Sequence, residues 1–535
     1  LARIIDTANL LETTSLDHNA KEWVYNGLDC CVTLEIRDAL KPQLDNISTN
    51  TYEFSKALQA PILEMTMRGV LVDYSKRKEV LALYNKQIDY LDEQLTRIVS
   101  EGVGFVPPPN TVKAGKVSRW WRSRDQLMNL LYDVMGLPPV KKRSKATGRF
   151  GPVVNREALE KLRGYWIAEP IINHILKLRD IDKKRGFLET GIDADQRMRC
   201  NFNIAGTNTG RLASSMSDFG TGTNLQNVDR ELRSVFASDQ GWKFANLDLE
   251  QGDARNVGAI CWELFVDKYG EDYAGSYLDA CESGDLHTAT CRMAWANLPW
   301  TGNLKQDKEI AEQIAYRQDS YRQLAKKLGH ATNYYVTPRT AASHTKLPQP
   351  LVEEFQYKYF QAYPVIGSFD HDPTLPNWHN YVRSELHTSH SLTTMFGRRR
   401  FFSGRAFEDD TLREAIAYEP QSMTADEIDL GILALWRAHR IHLLVQVHDS
   451  ILIQYREEEE AEVLPWALET LKTRLILKRG REFVVPTEAK IGWNWGDFDA
   501  KTNPDGLVKW KGQDSRERTG EPWLVPKFSL KALLR

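Results

Sequence analysis

The chain predicts an α+β fold, a sheet layer interrupted by one helical insertion and preceded by a mostly helical N-terminal part. Three observations carry that reading. The apolar run Lys243-Phe-Ala-Asn-Leu-Asp-Leu249 has the length and composition of a strand. Leu443-Leu-Val-Gln-Val447 and Ile451-Leu-Ile-Gln-Tyr455 are β-rich runs joined by His448-Asp449-Ser450, which predicts a hairpin with a three-residue link. Between strand and hairpin, residues 253 to about 363 return to helical spacing.

In chain order, residues 1 to about 48 read as the tail of something larger. The chain opens on Leu1 rather than Met, as a piece of a longer protein would. Thr51 to Ser100 carries apolar residues at helical spacing, broken at Arg68-Gly69-Val70, where Gly69 marks a turn before the run Val70-Leu-Val72. Pro107-Pro-Pro109 and a basic, glycine-containing segment read as a loop or tip. Helices are predicted over Ser123 to Met135, over Asn155 to Leu162 with Asn155 as N-cap, and over Ile171 to Phe187. From Arg197 the texture turns to short strands and Gly/Ser/Thr/Asn-rich loops. A long helix over Leu412 to His439 and a closing strand at Thr487 to Ile491 flank the hairpin.

At 535 residues the chain is too long for one ordinary core. A hydrophobic content of 42% and a charged content of 27% are those of a soluble globular protein. The sequence shows neither a secretion signal nor an apolar run long enough to span a bilayer, so a cytoplasmic protein without membrane contact is expected. The six cysteines (Cys30, Cys31, Cys200, Cys261, Cys281, Cys291) form no CxxC pair and no zinc spacing, which fits free thiols in a reducing compartment. Net charge is −2, but its distribution matters more than its sum. From Lys113 to Arg149 ten Lys/Arg stand against two acids, a local excess suited to phosphate contact.

The chemistry lies in residues whose setting exposes them. Asp248 stands at the end of a strand and Asp449 at a hairpin tip, 201 residues on. With the Leu249 carbonyl they make an oxygen donor set for Mg2+, which takes one or two carboxylates plus substrate phosphates. A lone aspartate at such a place more often caps a helix. Arg322-x3-Lys326-x3-His330-x3-Tyr334 supplies the second element. Each four-residue step turns about 40° around a helix, so the four share one broad face. Arg322 and Lys326 suit β- and γ-phosphates, Lys326 also suits protonation of departing pyrophosphate, and His330 and Tyr334 offer flat rings to base and sugar. Asn224-Leu-Gln-Asn227 and Arg211 suit the minor-groove edge of a duplex. Carboxylates that converge on metal ions and a basic helix face between them point to template-directed nucleotide polymerisation.

Read together, these motifs resemble the family A, DNA polymerase I-like, DNA polymerases. Thr207-x-Thr-Gly-Arg-Leu212 with Asn224-Leu-Gln-Asn227 is similar to the family's primer-template-binding stretch. Asp248 to Arg255 resembles its motif A, Arg322 to Tyr334 its motif B, Gln421-Ser-Met-Thr-Ala-Asp426 its palm helix, and Val447-His-Asp449 its motif C. The resemblance covers roughly residues 50 to 500, and the texture is most like the bacteriophage branch. It implies a right-hand architecture: a helical thumb over 49–195, a palm with an antiparallel sheet over 196–285 and 376–535, and helical fingers over 286–375. It implies attack of a primer 3′-hydroxyl on the α-phosphate of a dNTP, with two Mg2+ ions held by Asp248, Leu249 and Asp449. Arg322, Lys326, His330, Tyr334 and Asp253 are then the nucleotide-binding residues. Arg211, Asn224, Gln226, Arg413, Gln421 and His448 would contact primer-template DNA, in a monomer with or without a processivity factor. Tyr25-Asn-Gly-Leu-Asp29 resembles the motif that closes the family's 3′–5′ exonuclease domain, so residues 1–48 read as its remnant, without proofreading.

The departures carry expectations too. Motif A usually places Glu where this chain has Asp253, one methylene shorter, which predicts weaker rejection of ribonucleotides. His330 stands where Phe or Tyr is usual, and Tyr335 where Gly is usual, so the helix end is expected to pack differently. Ser450 replaces the second acid of motif C. The competing readings are a relative with relaxed template or sugar choice, such as a reverse transcriptase, and an inactive nucleic-acid-binding relative.

Overall fold

The computed structural model describes residues 17–113, 116–144, 148–406 and 408–519. The first sixteen residues of the expected remnant, and Lys145 of the basic segment, lie outside them.

The N-terminal part is helical. Helices α1 (His18–Leu40), α2 (Asn46–Arg68) and α3 (Tyr74–Val103) start at aspartates: Asp17, Asp45 and Asp73 each accept a backbone N–H of the first turn. Between α2 and α3 the chain turns at Gly69, φ 62°, where a Cβ would collide with Arg199 and with the Met198 carbonyl. The run Val70-Leu-Val72 beyond that turn forms a short strand. Helix α4 (Glu169–Leu188) packs along α3. The predicted helix at 123–135 begins as an α-helix, Arg124–Met128, and loosens into a π-helical turn, Asn129–Val134.

The sheet layer has five antiparallel strands: β1 (Trp242–Leu249), β2 (His442–Val447), β3 (Ser450–Arg456), β4 (Thr487–Gly492) and β5 (Val508–Lys509), in the order β2-β3-β1-β4-β5. The hairpin link is shorter than predicted: Ser450 already pairs with Val447, so His448 and Asp449 alone form the turn. Side-chain alternation along β1 splits the core. Ala245, Leu247 and Leu249 join the larger cluster, which includes helix α5 (Gly252–Tyr269). Phe244, on the other face, joins Val445, Leu452 and residues of α3 and α4.

The helical insertion contains α6 (Leu286–Ala294), α7 (Tyr321–Asn333) and α8 (Gln349–Ala362), which pack on one another. Two short strands, Ile314–Tyr316 and Asp319–Ser320, interrupt it. The long helix predicted over 412–439 runs as α9 (Asp409–Arg437), buried along most of its length.

All six cysteines are free, with Cys30 and Cys31 exposed and the rest buried. Among the described residues no helix is long and apolar enough to cross a membrane. Charge in the basic segment is partly spent inside the chain: Arg119 pairs with Asp89 and Asp92, and Arg122 pairs with Asp182. Lys141, Arg143 and Arg149 remain exposed, and the Lys142–Glu157 pair, at 3.3 Å, is open to solvent.

Candidate active site

A cleft of about 1100 Å3 opens between the end of the sheet and the helical insertion. Its sheet wall carries Asp248, Leu249, Asp253 and Asp449, and its helical wall carries Arg322, Lys326, His330 and Tyr334. Eight residues singled out in the sequence thus line one space.

The sheet wall is assembled by hydrogen bonding. The Leu249 N–H donates to the Asp449 carbonyl at 3.1 Å, which locks the end of β1 to the hairpin turn. His448 holds a φ of 55° in that turn, at the first of its two residues, where glycine is the usual choice. Beyond β1 the chain reverses at Gln251, φ 58°, directly into α5. Asp253 therefore sits in the first helical turn, where exposed N–H groups favour negative charge. It accepts from Thr424 Oγ1 at 2.7 Å, from Tyr334 OH at 3.2 Å and from Arg211 Nη2 at 3.3 Å.

The acids are crowded. Burial is the largest influence on Asp248, and the negative charges of Asp449 and Glu488 add to it, so its carboxyl is pushed up to about 7. Burial, helped by Asp253, likewise raises Asp449. Crowded carboxylates of this kind are what a divalent cation relieves. Among the described residues no three His, Cys, Asp or Glu side chains come close enough to cage an ion alone. Two carboxylates and a backbone carbonyl, all hard oxygens, make a donor set for a hard divalent cation such as Mg2+, Mn2+ or Ca2+.

The helical wall follows from α7. Ser320 caps it with a full capping box to Gln323, and Leu324, Ala325, Leu328 and Thr332 bury the inner face. Gly329 lets the helix lie against Tyr359, whose ring would be 3.4 Å from an added Cβ. The outer face is left to Arg322, Lys326, Lys327 and His330. Arg322 makes a two-point contact with Asp285 at 3.0 and 3.2 Å, which fixes the guanidinium at the cleft mouth. Burial opposes ionisation of Asp285, yet the Arg322 bonds win and hold its carboxyl low. Lys326 is exposed and makes no ion pair among the described side chains.

Tyr334 reaches the cleft from just beyond the helix. The helix ends at Asn333, and Tyr334 is its buried cap, packed edge-on to His330 at 4.6 Å with its hydroxyl on Asp253. Its neighbour Tyr335 keeps a left-handed φ of 58° at the position where glycine is usual. The ring is held by His371, by His379 and by Arg383 Nη2, which donates to its hydroxyl at 3.1 Å.

The remaining predicted residues are spread wider. Gln421 on α9 lies beside the Tyr334 hydroxyl. Asn224 and Gln226 are committed inside the chain: both accept from Ser214 Oγ, Asn224 donates to Ser214 O, and Gln226 donates to Leu212 O and to Gln446 beside the hairpin. His448 is exposed at the hairpin tip. Arg413, half-exposed near the start of α9, pairs with Asp410. Tyr25 and Asp29 lie one turn apart on the exposed helix α1, outside the cleft. Sequence reasoning missed Glu488 and Lys509 on the sheet wall and Asp285 and His287 below the helical wall. His287 is pressed down to about 4, by burial first and then by Arg322 and Lys326.

Comparison with known proteins gives the family and the fold. The sequence model of DNA polymerase family A matches residues 113–497. The thermostable DNA polymerase I of Thermus filiformis is 25% identical over 475 residues, covering 84% of this chain and 48% of the relative. DNA polymerase I of Synechocystis is 25% identical over 517 residues, covering 88% of this chain and 45% of the relative. The chain thus spans about half the length of these curated relatives. Among solved structures, the POL domain of Pol1 from M. smegmatis, in complex with DNA primer-template and dNTP, superposes with a TM-score of 0.65 at 20% identity. That match covers 87% of this chain and 74% of the other, and makes the fold a right-hand polymerase fold with an antiparallel sheet. The chain belongs to DNA polymerase family A.

Proposed function

We propose that this protein is a DNA-directed DNA polymerase that extends a primer 3′ end with dNTPs. The observation that carries the reading is one cleft with two metal-suited aspartates on one wall and the Arg322–Lys326 face on the other. Related polymerases share the fold, and a neighbour has been captured with primer-template and dNTP.

Two Mg2+ ions, when bound, would acidify the primer hydroxyl and offset charge on the phosphates. Asp248, Asp449 and the Leu249 carbonyl would hold them. Arg322, already oriented by Asp285, grips the outer phosphates with the donors that Asp285 leaves over. Lys326 neutralises the triphosphate and gives its proton to the departing pyrophosphate. His330 and Tyr334 border the base and sugar, and Asp253, pinned by Thr424, Tyr334 and Arg211, forms the floor under the sugar.

In this reading residues 49–195 are the thumb, 196–285 and 376–535 the palm, and 286–375 the fingers. The exposed basic strand Lys141–Arg143 faces the duplex backbone, with Arg211, Asn224, Gln226, Arg413, Gln421 and His448 closer to the primer end. Helix α1, with Tyr25 and Asp29, is the closing piece of an exonuclease domain. The bacteriophage texture of the sequence supports a role in phage DNA replication.

Primer extension on a DNA template with Mg2+ tests the reading, with dNTPs and rNTPs run in parallel for wild type and Asp449→Ala. Extension with dNTPs that Asp449→Ala lowers at least about 1000-fold is expected. Duplex binding without extension would favour an inactive relative. The rNTP lane reports on Asp253: if Asp253→Glu discriminates no better than wild type, the shorter acid is not a leaky gate.

A further inference from the structure

Ser450 occupies the place of the second motif C acid, and it is not free to substitute for one. Its hydroxyl is buried and donates to the Val447 carbonyl of its own hairpin at 2.9 Å. The pairing of β1 shows where a replacement stands. Asp248 lies directly opposite Ser450 on β3 and directly opposite Glu488 on β4. Residues in register on neighbouring antiparallel strands project to the same face. Glu488 is therefore the mirror of the missing acid, moved to the other side of Asp248, and it lines the same cleft.

We propose that Glu488 is a metal-positioning residue of the polymerase site, restoring from β4 the negative charge that Ser450 removes from β3. The inference rests on the function proposed above. Glu488 acts from outside the ligand set, since Asp248, Asp449 and Glu488 do not close into a three-carboxylate cage. Its charge draws the cation and orients the water shell that Mg2+ retains. Lys509 on β5 pairs with Glu488. The competing explanation is a surface ion pair that merely ties β5 to β4.

The test is Mn2+ binding, followed by electron paramagnetic resonance, to the complex of protein, dideoxy-terminated primer-template and matching dNTP. Glu488→Gln is expected to weaken Mn2+ binding about tenfold. Adding Ser450→Glu to that variant returns a carboxylate to the opposite side of Asp248 and is expected to recover most of the loss. Lys509→Met, which breaks the pair but keeps the acid, is expected to bind Mn2+ at least as well as wild type. Wild-type affinity in Glu488→Gln, or equal weakening in Lys509→Met, would overturn the proposal in favour of a structural pair. Failure of the function itself reads differently: Asp449→Asn would then leave Mn2+ binding unchanged.

Discussion

Asp248 is the residue at which burial and charge meet. With its carboxyl pushed up to about 7, against 3.8 for an unperturbed aspartate, it holds a proton through mildly acidic pH in the metal-free protein. That proton must leave when a cation binds, so apparent metal affinity falls about tenfold per pH unit below about pH 7. Calorimetry in buffers of different ionisation enthalpy counts the proton directly. About one is expected to be released per binding event at pH 6 and almost none at pH 8.5. Release unchanged in Asp248→Asn would show that another group titrates. The two aspartates were legible in the sequence because each stands beside a β-rich run at a turn. Glu488 was not, although its strand was predicted, because its importance comes from β4 pairing with β1, a partnership that no local pattern encodes.

At the scale of elements, the cleft is bordered by non-glycine residues in left-handed backbone: Gln251 between β1 and α5, Tyr335 after α7, and His448 in the hairpin. Such residues cost on the order of 1 kcal/mol or more each and persist where the surroundings fix them. At Tyr335 the fixing is visible in the ring's contacts with His371, His379 and Arg383. The sequence flagged that helix end through its unusual tyrosine, but the side chain holding a glycine-like backbone emerges only from packing between distant segments. Helix α9 stores a second tension. Glu419 is fully within the core, and burial lifts its carboxyl to about 7 from 4.5. A raised carboxyl contributes stability that is whole below about pH 4.5 and is lost as pH rises through about 7. Glu419→Gln is therefore expected to raise Tm by about 2 °C at pH 8 and to change it little at pH 4.5. Scanning calorimetry at the two pH values checks this, and an equal shift at both would assign the effect to packing instead.

For the whole molecule, the division of labour follows from where apolar faces are covered. The N-terminal helices close over Phe244, Val445 and Leu452 on one face of the sheet and leave the end of that face, with Asp248, open to the cleft. Composition alone suggested a broad basic surface over 113–149, but Arg119 and Arg122 are spent on Asp89, Asp92 and Asp182. Among the described side chains of that segment, the charge open to a phosphate backbone lies on the exposed strand Lys141–Arg143 and on Arg124 and Arg149. Reversing Lys141, Lys142 and Arg143 to Glu is expected to weaken duplex binding and to flatten its salt dependence, by about 0.9 in log–log slope for each phosphate no longer neutralised. An unchanged slope would place the duplex elsewhere.

The proposed function requires one cleft to join a metal-holding sheet end to a triphosphate-holding helix so that a template chooses the nucleotide. Single-nucleotide incorporation on four primer-templates that differ only at the templating base measures this most directly, with each dNTP supplied alone. Each template is expected to select its complement by at least about 100-fold, and Asp248→Asn and Lys326→Ala are each expected to depress every correct incorporation. Incorporation indifferent to the templating base, or undiminished in Asp248→Asn, would contradict the proposed function.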